Sequence, residues 1–331
     1  MTRLRFDPWT ADYSGAYLAD PDAEAEGPVN IDAEVPAEDW QPLNAIREAA
    51  FDHLIFIDGS RRMDARVQVE SDTGTFRAHG GLGTTAVGAV AVLTGQRAEF
   101  LADLRADRWC FVGAGERQEP ITLRAADGHL GDLHYRPVSV ADTNPDAILQ
   151  ALQDTMRAEE AKLASRLLGQ HGDALLVLDG PLPREPVADR MVGYVKTTSI
   201  QRLAAEQLEV ASQLQAGQRT PIYIAGTGST RHFEWILRLR DPAPWFYSLA
   251  GTVRLQVAAR TGEDRLTDFV REVADWSCSV LPRFSSLAHQ DPRAPQQLLP
   301  VRALEAELKR HMGDGLLLRR RIVRDYFAEH S

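Results

Sequence analysis

An α/β fold, built as a mixed β-sheet flanked by helices, is predicted by three features of the sequence. Residues 54–57 (LIFI) and 174–178 (ALLVL) are unbroken apolar runs, with the length and branching of strands covered on both faces. Each run is followed by the same dipeptide, Asp58-Gly59 and Asp179-Gly180, which puts a carboxylate where a strand is expected to end. Between them residues 144–169 have helical periodicity, so β-rich sequence is followed by a helix and then by a further buried strand.

Residues 1–45 read as an acidic N-terminal arm, loosely structured or wrapped on the body. They hold ten acidic side chains against Arg3 and Arg5, which is −8 of the formal net charge of −10. An arm of that charge in solution repels a polyanion, or competes with it for a basic groove; pinned by Trp9 and Trp40 it serves instead as structural cover. Residues 46–331 form the globular body and carry only −2, which leaves room for local basic patches. There LIFID, DARVQVES and HGGLGTTAVGAVAVL, separated by turn-like residues, read as three sequential antiparallel strands. DRWCFVGA and EPITLRA read as additional strands, and AEFLADLRA as a short helix.

The helix over 144–169 lines up Ile148, Leu149, Leu152, Met156, Leu163 and Leu167 on one face, with Gly169 as its C-cap; Glu159 and Glu160 interrupt the stripe. ALLVLD then leads through GPLPREP to a strand at MVGYVKTT. A helix near 201–214 follows, then strands around PIYIAG, HFEWILRLR and WFYSLAGTVRLQV, a helix at GEDRLTDFVREVADW, and a helical C-terminal region.

Several function classes lack their signatures. There is no G-x-x-x-x-G-K-[ST] loop for nucleotide hydrolysis, GTGST at 226–230 reads as a strand-terminating loop, and no G-x-S-x-G elbow marks a serine hydrolase. An actin-like sugar kinase would also place Asp-Gly after a strand, but a second glycine-rich phosphate loop is missing. Cys110 and Cys278 have no metal-ligand spacing. With no signal-like N-terminus and no apolar run near membrane-spanning length, a cytoplasmic location without membrane contact is expected.

Three antiparallel strands, a helix and a strand ending in a carboxylate is the order of a ribonuclease H-like core. Acids at the ends of neighbouring strands, with one more from a facing helix, can hold two divalent ions about 3.5–4 Å apart for phosphodiester hydrolysis. Either Asp-Gly alone reads as a turn dipeptide; their joint placement favours a metal site. Asp64 reads as a surface strand residue, Arg61 and Arg62 as phosphate contacts or turn residues, and the cluster Arg319, Arg320, Arg321 and Arg324 as a DNA or partner contact or a solvated helix face.

The segments IDGSRRMDARV, MRAEEAKLA, LLVLDGPL, VGYVKTT and LPRFSSLAHQDP occur in the order found in the NurA nuclease family, and over residues 50–327 the chain resembles a bacterial member. The resemblance implies a ribonuclease H-like fold, a homodimer, and a manganese-dependent deoxyribonuclease with 5′-to-3′ exonuclease and single-strand endonuclease activity. Magnesium is an alternative ion, and the HerA hexameric ATPase is the implied partner in DNA-end processing. It makes Asp58 and Asp179 strand-borne metal ligands and Glu160 the helical carboxylate, with Glu159 as the alternative. His289 becomes a late ligand or water-orienting group, and Lys196 a holder of the scissile phosphate. A non-catalytic DNA-repair scaffold of the same fold is the competing expectation.

Overall fold

The computed structural model of the protein describes residues 3–6, 27–46, 51–71, 73–101, 104–125, 131–183, 190–196, 203–228, 231–242, 247–259, 265–291 and 293–330. Its strands are β1 (Arg3–Phe6), β2 (Val29–Asn30), β3 (His53–Glu70), β4 (Phe76–Leu93), β5 (Glu99–Phe100), β6 (Arg105–Val112), β7 (Ile121–Leu123), β8 (Leu133–Ser139), β9 (Leu175–Asp179), β10 (Met191–Val195), β11 (Tyr223–Ala225), β12 (His232–Arg238) and β13 (Thr252–Ala258). Its helices are α1 (Pro145–Gln170), α2 (Ala205–Gln213), α3 (Asp268–Phe284), α4 (Leu299–Met312) and α5 (Gly315–His330). All strands join one mixed sheet, in the order β2-β11-β12-β13-β10-β9-β3-β4-β6-β8-β7, with β1 paired to β3 and β5 to β4. No described helix is long and apolar enough to cross a membrane.

The pleat divides the core in two. Leu54 and Phe56 of β3, with Leu175 and Val177 of β9, pack against Trp276 and Leu281 of α3 and Leu304 and Leu308 of α4. Ile55 and Ile57, with Leu176 and Leu178, face Met156, Leu163 and Leu167 of α1 on the other side. Strands covered on both faces must be apolar at every position, which is why LIFI and ALLVL show no alternation. Asn144 opens α1 by accepting from Asp146 N at 3.0 Å, ahead of Pro145. The helix runs one residue beyond the expected Gly169 stop, to Gln170, with His171 as its C-cap.

Three local expectations are corrected. LIFID and DARVQVES are one strand: β3 passes through Asp58-Gly59 without a turn and pairs with β4 on both sides of it. The third antiparallel strand is therefore β6, which pairs with β4. Its approach, AEFLADLRA, is extended rather than helical in its described residues, because Glu99 and Phe100 pair with Ala91 and Val90 of β4 and tertiary pairing overrides local helix propensity. Asp64 is no surface residue. It sits where the β3–β4 register slips by one, at 3% exposure, accepting from Thr84 Oγ1 at 2.5 Å and Arg62 Nε at 2.8 Å.

Trp9 and the rest of residues 7–26 of the expected arm lie outside the described residues, but residues 27–46 wrap the body. β2 extends the sheet beside β11, and Trp40 Nε1 donates to Ile31 O while its ring lies 6.2 Å from that of Tyr223. Glu34 accepts both terminal nitrogens of Arg219, at 2.7 and 2.8 Å, and also Ile222 N at 2.7 Å. Arg219 is 1% exposed, and its charge is met chiefly by this fork, with Asp275 Oδ1 a longer contact at 3.5 Å from Nη2. Glu34→Ala is expected to cost about 3 kcal/mol, because it leaves a buried guanidinium with only its longer contact to Asp275, and deletion of residues 1–45 to destabilise in the same direction. Urea titration measures both; a Glu34→Ala loss below about 1 kcal/mol would mark an ordinary surface ion pair instead.

Candidate metal centre

Strand register brings the two Asp-Gly aspartates together. β3 and β9 run parallel, and their last paired residues are Ile57 and Leu178. Asp58 and Asp179 are the next residue on each, one strand spacing apart at about 4.8 Å, and pleat alternation turns both toward the face carrying α4. β9 ends at Asp179 while β3 continues. Beyond Ile57 the edge of β3 facing β9 has no strand beside it among the described residues until β1 pairs with Val67–Glu70. Asp58 thus lies in the wall of a notch where the sheet loses a strand.

Asp58 is 6% exposed. Its Oδ1 accepts from Gly59 N at 2.8 Å, and among the described residues no donor reaches Oδ2. Asp179 Oδ2 accepts from Lys196 Nζ at 2.5 Å, and the same ammonium donates to Gln297 Oε1 at 2.5 Å. A third carboxylate, that of Glu305 on α4, completes a cluster whose ligand oxygens all lie within 4.8 Å of one another. Burial, then the charges of Asp179 and Glu160, push the Asp58 carboxyl well above the usual carboxylate range. Burial also raises Asp179, although Lys196 pulls it back. Burial would raise Glu305 too, but the Arg293 guanidinium bound to it holds it below its ordinary value. A buried acid oxygen without a donor, amid mutually repelling carboxylates, suits a hard divalent cation.

The other expected residues fall at different distances from this cluster. α1 packs on the opposite face of β3, so Glu160 approaches from behind. A Cβ on Gly59 would lie 2.5 Å from Glu160 Oε1 and 2.8 Å from Met156 Cγ. Glycine at 59 therefore serves a close approach rather than a turn. Glu160 lies near enough to raise Asp58 without being one of the three clustered acids. Glu159 turns to Lys162 at 2.9 Å and Arg105 at 3.7 Å. His289 is not part of the cluster either, against expectation. Ser285 and Leu298 form a bridge, and Ser286 N donates to Gln297 O, so the chain between them bulges outward with His289 exposed in a turn.

The arginines near the strand are engaged within the protein. Arg62 donates to Asp64 and to the Met312 and Gly313 carbonyls at the end of α4, and Arg61 Nε donates to Gln153 Oε1. Arg321 and Arg324 both bind Asp325. Glu305 escaped the sequence reading because its only signal is a place beside the apolar seam Val301, Leu304, Leu308 and Met312.

A carboxyl whose folded pKa is raised contributes stability below its unfolded value, near 3.9, and loses that contribution as pH rises through the folded value. Asp58→Asn removes this liability. In divalent-free buffer the variant is expected to melt above wild type at pH 8, with the gap closing toward pH 4. A variant that melts lower at pH 8 would mean that the Asp58 charge is compensated within the protein.

No protein-family model matches this sequence, and no curated protein matches it.

Proposed function

We propose that the protein is a divalent-metal-dependent deoxyribonuclease that hydrolyses phosphodiester bonds. The observation that carries this reading is the side-by-side placement of Asp58 and Asp179 on adjacent parallel strands, with Asp58 Oδ2 buried and without a donor among the described residues. The sheet order lends support. β6, β4, β3, β9 and β10 are neighbours in that sequence, antiparallel across the first two contacts and parallel across the last two, and α1 precedes β9. This is the connectivity expected of a ribonuclease H-like core.

When bound, Mn²⁺ or Mg²⁺ supplies a Lewis acid and a water acidified toward neutral pH. Asp58 and Asp179 hold the ion, and Glu160, leaning over Gly59, adds negative charge behind Asp58. Lys196 keeps an ammonium at the rim of the cluster, where a phosphate entering beside Asp179 meets it. DNA as substrate, 5′-to-3′ exonuclease with single-strand endonuclease activity, a homodimer, a HerA-type ATPase partner, a cytoplasmic location and a role in double-strand break repair follow from the resemblance to NurA nucleases.

End-labelled DNA incubated with purified protein is expected to be cleaved with Mn²⁺ or Mg²⁺ and left intact with Ca²⁺ or EDTA. Asp58→Asn and Asp179→Asn should fold and cleave nothing. Cleavage by either variant at the wild-type rate would remove this site from the chemistry. With a cognate HerA ATPase, ATP-dependent digestion of long duplex DNA is expected, together with a dimer by light scattering; a monomer that never co-elutes with the ATPase argues against the partnership.

A further inference from the structure

We infer that Glu305 is the third ligand of the metal centre, delivered by α4, and that Arg293 is the residue that positions it. The inference rests on the metal-dependent reading and deepens it. Val301, Leu304, Leu308 and Met312 seat α4 against β3 and β4. Glu305 follows Leu304, so its carboxylate emerges at the border of that seam, beside the row formed by Asp58 and Asp179. The position is set by a packed helix face, which holds a ligand more rigidly than a loop does.

Arg293 orients the carboxylate with a two-pronged fork. Nη1 donates to Oε1 at 2.8 Å and Nη2 to Oε2 at 2.7 Å. Each Glu305 oxygen has two lone pairs, so one on each is left for another partner. Asp291 holds Arg293 in turn, accepting from its Nε at 3.2 Å and from its Nη2 at 3.3 Å. Such a chain of carboxylate, guanidinium and carboxylate is what holds a metal-ligating oxygen in one orientation.

The alternative is that Glu305 is only an ion-pair partner of Arg293. Asp291 already supplies a counter-charge to that guanidinium, so neutralising it does not call for a second acid. Placing that acid within 4.8 Å of two other carboxylates, one of them with a buried oxygen that no described donor reaches, adds repulsion that an ion pair elsewhere on the surface would avoid. A divalent cation among the three oxygens reverses the sign of that interaction. Three carboxylates would fill only part of the oxygen shell of a hard divalent cation, and the chemistry such an ion would supply is hydrolytic.

Isothermal titration of metal-free, full-length protein with MnCl₂ tests this without reference to activity. Glu305→Gln is expected to weaken Mn²⁺ binding about tenfold or more, and Arg293→Met about 10–100-fold, with part of that recovered in Arg293→Lys. Glu307→Gln, on the same helix and paired with Arg310, should bind as wild type does. Circular dichroism checks that each variant is folded. If Glu305→Gln binds Mn²⁺ as wild type does while Asp58→Asn does not, the third ligand is overturned and the metal centre stands. If wild-type protein binds no Mn²⁺ at all, the metal reading fails and this inference with it.

Discussion

Much of the structure depends on β3 crossing Asp58-Gly59 without a break. Because the strand continues, Asp58 is locked into a ladder with β4 and cannot swing away from Asp179 as a residue in a turn could. Because β9 stops one residue past their shared register, the same aspartate borders a notch rather than another strand. The absent side chain at Gly59 lets α1 lie close enough to bring Met156 and the Glu160 carboxylate against the strand. A larger residue there would have to displace the Glu160 carboxylate and the Met156 side chain, and with Met156 the packing it shares with Ile55, Ile57 and Leu163. The apolar packing of α1 and the placement of charge therefore share one point of contact.

The acid cluster is tolerated because its cost is distributed. Lys196 bridges Asp179 and Gln297, Arg293 bridges Glu305 and Asp291, and Arg302 approaches Asp291 at 3.7 Å. What remains uncompensated is concentrated on Asp58, the most buried of the three acids and the one with a buried oxygen that no described donor reaches. Local strain of this kind persists where surrounding packing over-determines it, and here a sheet covered on both faces supplies that packing.

Charge is also handled away from the centre. The negative N-terminal segment is not simply an electrostatic tail, because Glu34 within it satisfies Arg219, Trp40 covers Tyr223, and β2 extends the sheet. Asp64 shows the same economy: a bulge residue turned inward, it is satisfied by Thr84 and Arg62, and Arg62 then reaches the carbonyls that end α4. That chain links the strand carrying Asp58 to the helix carrying Glu305.

Local sequence was enough to specify the α/β class, the helix α1, the buried runs that open β3 and fill β9, and Asp58 and Asp179 as a candidate pair of carboxylates. These follow from periodicity and from unbroken apolar runs, which depend only on neighbours along the chain. What tertiary structure decided depends on contacts between distant segments. Asp58-Gly59 continues as strand because both residues pair with β4, at Gly88 and Val87, and AEFLADLRA extends because Glu99 and Phe100 pair with the same strand. Asp64 points inward because of a register slip against β4. Glu305 replaces His289 at the cluster because the bridge from Ser285 to Leu298 pushes the histidine's loop outward and returns the chain as α4. The sequence could place a carboxylate after each apolar run, but the third acid comes from a segment 126 residues beyond Asp179 whose position only the packed seam of α4 determines.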